Sequence, residues 1–226
     1  MRQGKTFVLL TAAIFAAFTI ISCSKSDKKD DAPREQPGKI PGMGEAGGEP
    51  QGTALTFPAG VSISGTPIRG KVCDTAYEAG SGGLVEVCVA FVNSNAAAVT
   101  YTIPAGLIVI SQDGDYQSGI LIQNTTIALK AKSTTRVGIK MYCVNSGRHP
   151  SSGEITYKIG PVTNSPLLRE LLDLLKNKRT ALTEYPNFDG YFDAVSTIQM
   201  LVWMITDGQG LERTTLNSHL SSIPNK

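Results

Sequence analysis

The chain has 226 residues, with 21 Lys and Arg against 19 Asp and Glu and a formal net charge of +2. A near-neutral balance, with no basic stripe interleaved with aromatics, argues against nucleic acid as a partner. The only histidines are His149 and His219, and there is no Gly-x-Ser-x-Gly elbow or zinc-ligand spacing. The composition therefore disfavours a hydrolytic enzyme and points to no metal or cofactor.

Arg2 and Lys5 give a positive start, and Phe7 to Ile21 is apolar or small but too short for a comfortable membrane span. The run closes in Ile20-Ile21-Ser22-Cys23, a lipobox with an aliphatic residue three before the cysteine and a small one just before it. Residues 1–22 read as a lipoprotein signal peptide and Cys23 as the lipidated mature N-terminus. Several acyl chains anchor stably where one does not, at about 0.8 kcal/mol per buried methylene. The following Ser24-Lys25-Ser26-Asp27-Lys28-Lys29-Asp30-Asp31 resembles the start of Bacteroidota-type surface lipoproteins, which implies an outer-membrane lipoprotein displayed outside the cell. Ala32 to Gly52 is rich in Pro, Gly and Glu with almost no large apolar residue. Residues 23–54 are thus expected to be a flexible tether. Roughly 170 residues remain, enough for one core.

Residues 55–162 read as short strands between Gly, Pro, Asn and Ser. Val85, Val87, Val89 and Phe91 alternate along one face, and Val99–Ile103, Leu107–Ile110, Gly119–Leu129, Thr134–Cys143 and Glu154–Ile159 follow. In the Thr134–Cys143 run, Val137, Ile139, Met141 and Cys143 share the inward face. No helical period intervenes, so the expected fold is α+β, an antiparallel β-sandwich followed by a small helical lobe. Gly80-Ser81-Gly82-Gly83 reads as a hairpin turn, and Asp113-Gly114-Asp115 as an acidic hairpin tip in preference to a calcium site. Asp74-Thr75-Ala76 resembles the O-glycosylation signal of Bacteroidota envelope proteins.

With Cys23 lipidated, Cys73, Cys88 and Cys143 remain in an oxidising compartment, an odd number. A hairpin folding over Gly80 and Ser81 would set Cys73 opposite Cys88 and favour that disulfide. The competing pair is Cys73 with Cys143, across two sheets.

Residues 163–226 are expected to be helical and to pack on the sandwich. Ser165-Pro166 combines a capping hydroxyl with proline at the first helical position. Leu168, Leu171, Leu172 and Leu175 form one stripe, and Lys176, Lys178 and Arg179 would close the helix. A second helix, from about Gly190 to Thr206, aligns Phe192, Val195, Gln199, Val202 and Ile205 or Thr206. A third spans Arg213 to Ser222. Gln199 stands among apolar neighbours on the face expected to be buried, where an unsatisfied amide costs about 1–3 kcal/mol.

Tyr142-Cys143-Val144-Asn145 and Ile198-Gln199-Met200-Leu201-Val202-Trp203 resemble the two motifs of the thioester domains of Gram-positive surface adhesins. These are an aromatic-Cys-aliphatic-polar run and a helical glutamine followed by aliphatic residues and tryptophan. The resemblance implies a sandwich with a helical lobe and an internal thioester between Cys143 and Gln199 that reacts with an amine on a target protein. It departs from the family's pattern in the shorter separation of the motifs, in Ile198 and Leu201, where threonine and alanine are usual, and in the N-terminal lipid. Tyr142 and Trp203 would exclude water. His149 would assist proton transfer, against its reading as an exposed loop residue. A lipid-anchored covalent adhesin is one expectation. The other is a non-covalent binding or structural module of a surface assembly or glycan-utilisation complex, with Gln199 bonding a backbone edge.

Overall fold

The structure, a computed structural model, describes residues 35–71, 73, 74 and 77–226. The signal peptide, Cys23, the first part of the tether, and Thr75 and Ala76 of the glycosylation-like triplet lie outside those residues. Along the chain come β1 (Gly52–Thr53), β2 (Val61–Ile63), β3 (Ile68–Gly70), β4 (Glu78–Gly80), β5 (Val85–Asn93), β6 (Val99–Ile103), β7 (Leu107–Ser111), β8 (Gly119–Ile120), β9 (Thr125–Leu129), β10 (Ser133–Cys143) and β11 (Thr156–Thr163). They are followed by the helices α1 (Pro166–Leu175), α2 (Phe188–Thr206) and α3 (Arg213–Ser222).

The β-rich part is a closed barrel, which corrects the expected sandwich. β10 lies antiparallel to β5 from Ser133 opposite Asn93 to Met141 opposite Val85, and its last two residues pair with β8. β8 pairs with β7, β7 with β11, β11 with β3, and β3 returns to β5. Six antiparallel strands thereby close on themselves instead of dividing into two halves of a sandwich. Two of the six, β3 and β8, have only three and two residues. A register shift in β11 between Ile159 and Val162 marks an irregularity of the kind that bends a strand. The expected Gly119–Leu129 strand divides into β8 and β9, and β9 pairs with β6 as a separate two-stranded sheet.

Alternation along β10 separates two cores. Val137, Ile139, Met141 and Cys143 join Val85, Val87, Val89 and Phe91 inside, together with the buried face of the β6–β9 pair, Tyr101, Ile103, Ile127 and Leu129. Tyr142 and Val144 point the other way. With Ile108, Ile120 and Ile122 they form the outer face on which the three helices pack. Ser165 caps α1 by accepting from the Leu168 N–H at 3.2 Å. The far end of that helix is not closed by Lys176, Lys178 and Arg179, because α1 stops at Leu175. Gln123 donates instead to the carbonyls of Leu175 and Lys178, at 2.6 and 2.8 Å. On α2, Ala194, Ile198, Gln199, Leu201, Val202, Ile205 and Thr206 are buried, whereas Phe192, expected inward, is 57 % exposed.

The flexible-tether expectation fails from Glu35 onward. Ile40 and Met43 are buried in the helical core, Glu35 accepts from Ser165 Oγ at 2.6 Å, and β1 pairs with β11. Cys73 and Cys88 form the disulfide, with Cα atoms 4.9 Å apart. The hairpin used to argue for it is absent: Arg69 faces Cys88, and β4 runs parallel to β10.

Candidate functional site

Cys143 ends β10, at a place where that strand has lost a neighbour. Val144 donates its N–H to Ser118 on the β8 side at 3.0 Å, so by strand alternation the N–H and C=O of Cys143 face the opposite edge. On that edge β5 reaches only to Val85, opposite Met141. The side chain of Gln199 fills the gap. Its Oε1 accepts from the Cys143 N–H at 2.9 Å, and its Nε2 donates to the Cys143 carbonyl at 2.8 Å. The carboxamide thus takes the place of a strand, and it is only 6 % exposed.

The thiol points inward and is free and buried. Its sulfur accepts from the Asn145 N–H at 3.2 Å. Burial pushes the thiol pKa up to about 11, against the lowering effects of the Asn145 N–H and the Trp203 indole. Cys143 is therefore a neutral thiol at pH 7. The indole nitrogen of Trp203, one helical turn beyond Gln199, is buried and close enough to the Cys143 sulfur to favour its ionised form, although it does not meet the geometry of a formed hydrogen bond to any described residue. Its ring packs on the barrel core that holds Cys143. The buried hydroxyls of Tyr142 and Tyr157 lie near Ser81 and Ser111 respectively but form no well-aligned hydrogen bond among the described residues.

Asn145 holds the surrounding chain together. Its Oδ1 accepts from the Ser118 N–H at 3.1 Å, and its Nδ2 donates to the Gly44 carbonyl at 2.9 Å. The Gly44 N–H in turn donates to the Val144 carbonyl at 2.7 Å. Gly44 is left-handed, and a Cβ there would collide with the Thr206 carbonyl, so only glycine brings this strap so close to the end of α2. Asp207 accepts from Ser146, at 3.3 Å from the N–H and 3.0 Å from the hydroxyl.

Cys143, Gln199 and Trp203 therefore come together, while Tyr142, adjacent in the chain, faces the helical core on the other side of β10. His149 does not join them. It is exposed, and its ring lies 5.7 Å from that of Tyr116. The charged groups that act on the thiol are Asp207 and Arg148. The Asp113 side chain accepts from the Asp115 N–H at 2.9 Å and so closes its own turn. Sequence reasoning missed the Gly44 strap and the bridging role of Asn145. The polar fourth position of the cysteine motif was the available signal for Asn145. Comparison of the chain with known protein families, curated proteins and solved structures found no match.

Proposed function

We propose that this is a lipid-anchored surface protein that attaches covalently to amines on a target through an internal Cys143–Gln199 thioester. One observation carries the reading: the buried carboxamide of Gln199 is seated on the backbone of the residue that bears the only free thiol among the described residues. Helix and strand are already docked, so the remaining approach is one of side chains held in place, where orientation contributes effective molarities of about 10⁵–10⁸ M.

The chemistry follows from the same contacts. The Cys143 sulfur attacks the Gln199 amide carbon. The Cys143 N–H, already 2.9 Å from Oε1, is placed to stabilise the negative charge that develops on that oxygen. The C–N bond breaks, the thiol proton leaves with the amide nitrogen as ammonia, and the S–C bond remains. A target amine then attacks the same carbon to form an amide. The sulfur departs beside the Asn145 and Trp203 N–H groups, which favour the thiolate and are offset by burial. Tyr142, Trp203 and the Gly44 strap keep water from the bond.

Intact-mass measurement tests this. The mature chain should be lighter by one ammonia and should gain one methylamine on treatment, with both changes absent in Cys143→Ser. The second reading is that Gln199 only completes a strand edge in a non-covalent module, since both of its amide atoms are satisfied by main chain. An unchanged mass with Cys143 alkylated on unfolding would select that reading and end the covalent one. Lipidation at Cys23 and display on the outer membrane belong to the same proposal and rest on the N-terminal sequence.

A further inference from the structure

The first turns of α2 present an unusual surface. Phe188 and Phe192 are 62 % and 57 % exposed and stack with centroids 6.2 Å apart. Tyr191 lies tilted against Phe188 and edgewise to Tyr185. Phe188, Tyr191, Phe192 and Val195 form one wall of a cavity of about 320 Å³, whose other side includes Gly82, Gly83, Glu86 and Lys140. Exposed stacked phenylalanines offset no folding cost, and such patches mark interaction sites.

The charges in the cavity are unequal in availability. Burial lowers the Lys140 pKa, but the Glu78 carboxylate bonded to it and the nearby Glu86 outweigh that, so the ammonium is held protonated. Its Nζ lies 2.6 Å from Glu78. This amine is therefore occupied and is a poor competitor as nucleophile. The Glu86 carboxylate lies across the strand pair from Lys140 and acts on that ammonium through space, but it makes no hydrogen bond or ion pair among the described residues. Asp189 and Asp193 are exposed on the same two turns of α2. Aromatic faces beside a carboxylate that no hydrogen bond occupies suit a side chain with an apolar stem and a cationic head.

Position ties the cavity to the site. Phe188, Phe192, Val195 and Gln199 fall at i, i+4, i+7 and i+11, along one stripe of the helix. Val195 and Gln199 are about 6 Å apart along its axis. We infer that this groove docks a basic, apolar segment of a target protein, holding a lysine or arginine between Phe188, Phe192 and Glu86 while a neighbouring lysine is delivered to Gln199. The inference rests on the thioester reading for the covalent step only. Docking is independent of it.

The test uses the full chain in detergent and two fluorescein-labelled peptides of equal length, one alternating lysine and phenylalanine, the other glutamate and phenylalanine. Docking is read by anisotropy on Cys143→Ser, which cannot form the bond. The basic peptide should bind, the acidic one should not, and Phe188→Ala/Phe192→Ala should weaken binding about tenfold, since central aromatic anchors dominate such contacts. Both phenylalanines are exposed, so the double variant should keep the wild-type unfolding midpoint, and Glu86→Gln gives a second test with no aromatic removed. On the chain with Cys143 intact, the rate of peptide attachment relative to methylamine uptake should fall about tenfold in the same double variant. Equal binding of the acidic peptide, or undiminished binding by the double variant, overturns the groove. Loss of the mass signature with anisotropy preserved overturns the thioester and leaves the groove standing.

Discussion

At the scale of one residue, the thiol of Cys143 reports on its own chemistry. Its pKa is raised to about 11, chiefly by burial, whereas an unfolded cysteine ionises near 9. Between those values the unfolded chain binds fewer protons than the folded one, so stability falls as pH rises; below pH 9 the contribution is fully present. A free thiol therefore predicts that the urea midpoint drops between pH 9 and 11 more steeply in the wild type than in Cys143→Ser. Tyr101, pushed up to about 12 by burial, contributes equally to the two proteins and cancels, whereas Tyr157, pushed up to about 12 by burial and by the ionised Cys143 sulfur, adds to the difference in the same direction. A thioester predicts no such difference, because the sulfur has no proton to lose. The two curves should then coincide, and methylamine, which frees the thiol, should restore the difference. Much of this was legible in the sequence. The odd cysteine count singled out one thiol, and a glutamine on a buried helical face had to find partners. The role of Asn145 was not legible, because the two contacts of its side-chain amide reach Ser118 and Gly44, both distant in the chain.

At the scale of elements, the joint between α2 and β10 is a single side-chain amide acting as a strand. Gln199→Ala removes it and leaves the N–H and C=O of Cys143 buried and unpaired. That should cost about 1–3 kcal/mol, read as a lower urea midpoint with an unchanged slope. A loss of only a few tenths of a kcal/mol would mean that water reaches this edge, and would remove the argument for a dry site. Helix limits were accessible from sequence because their signals are local: Ser165 and Pro166 begin α1 as expected, and Arg213 to Ser222 is α3 as expected. The orientation of Phe192 was misjudged, because a hydrophobic position on a helical stripe was assumed to face a core that ends before it. Strand pairing was the larger failure. The barrel closes through β3 and β8, whose three and two residues carry no usable period, and β4 joins β10 in parallel where a hairpin with β5 was expected. Local alternation identifies strands and their faces, whereas closure depends on partners far apart in the chain.

At the scale of the whole molecule, the segment from Glu35 to Thr53 changes what counts as the folded unit. Composition reads it as spacer, since it holds few large apolar residues, yet Ile40 and Met43 are almost wholly buried. Its polar contacts reach both helices and barrel. Glu35 accepts from the Leu167 N–H at the start of α1 at 3.0 Å, the Gly38 N–H donates to Ile205 on α2 at 2.8 Å, and Glu49 pairs with Lys158 on β11 at 2.7 Å. The exposed Glu49–Lys158 pair contributes little. Burial of the two apolar side chains contributes about 1.5–3 kcal/mol each. A protein beginning at residue 34 should therefore match the full mature chain in urea midpoint, whereas one beginning at residue 54 should lose several kcal/mol, an amount that is a large share of ordinary stability. The same truncation strips Gly44 from Val144 and Asn145, uncovering the end of β10. If the thioester forms, the truncated protein should lose its mass deficit by hydrolysis much faster than the longer one, in conditions where both remain folded. Equal stability of the two would show that the strap contributes nothing to the core. Unequal stability with equal hydrolysis rates would show that it holds the fold but does not shield the bond, and water exclusion would then fall to Tyr142 and Trp203 alone.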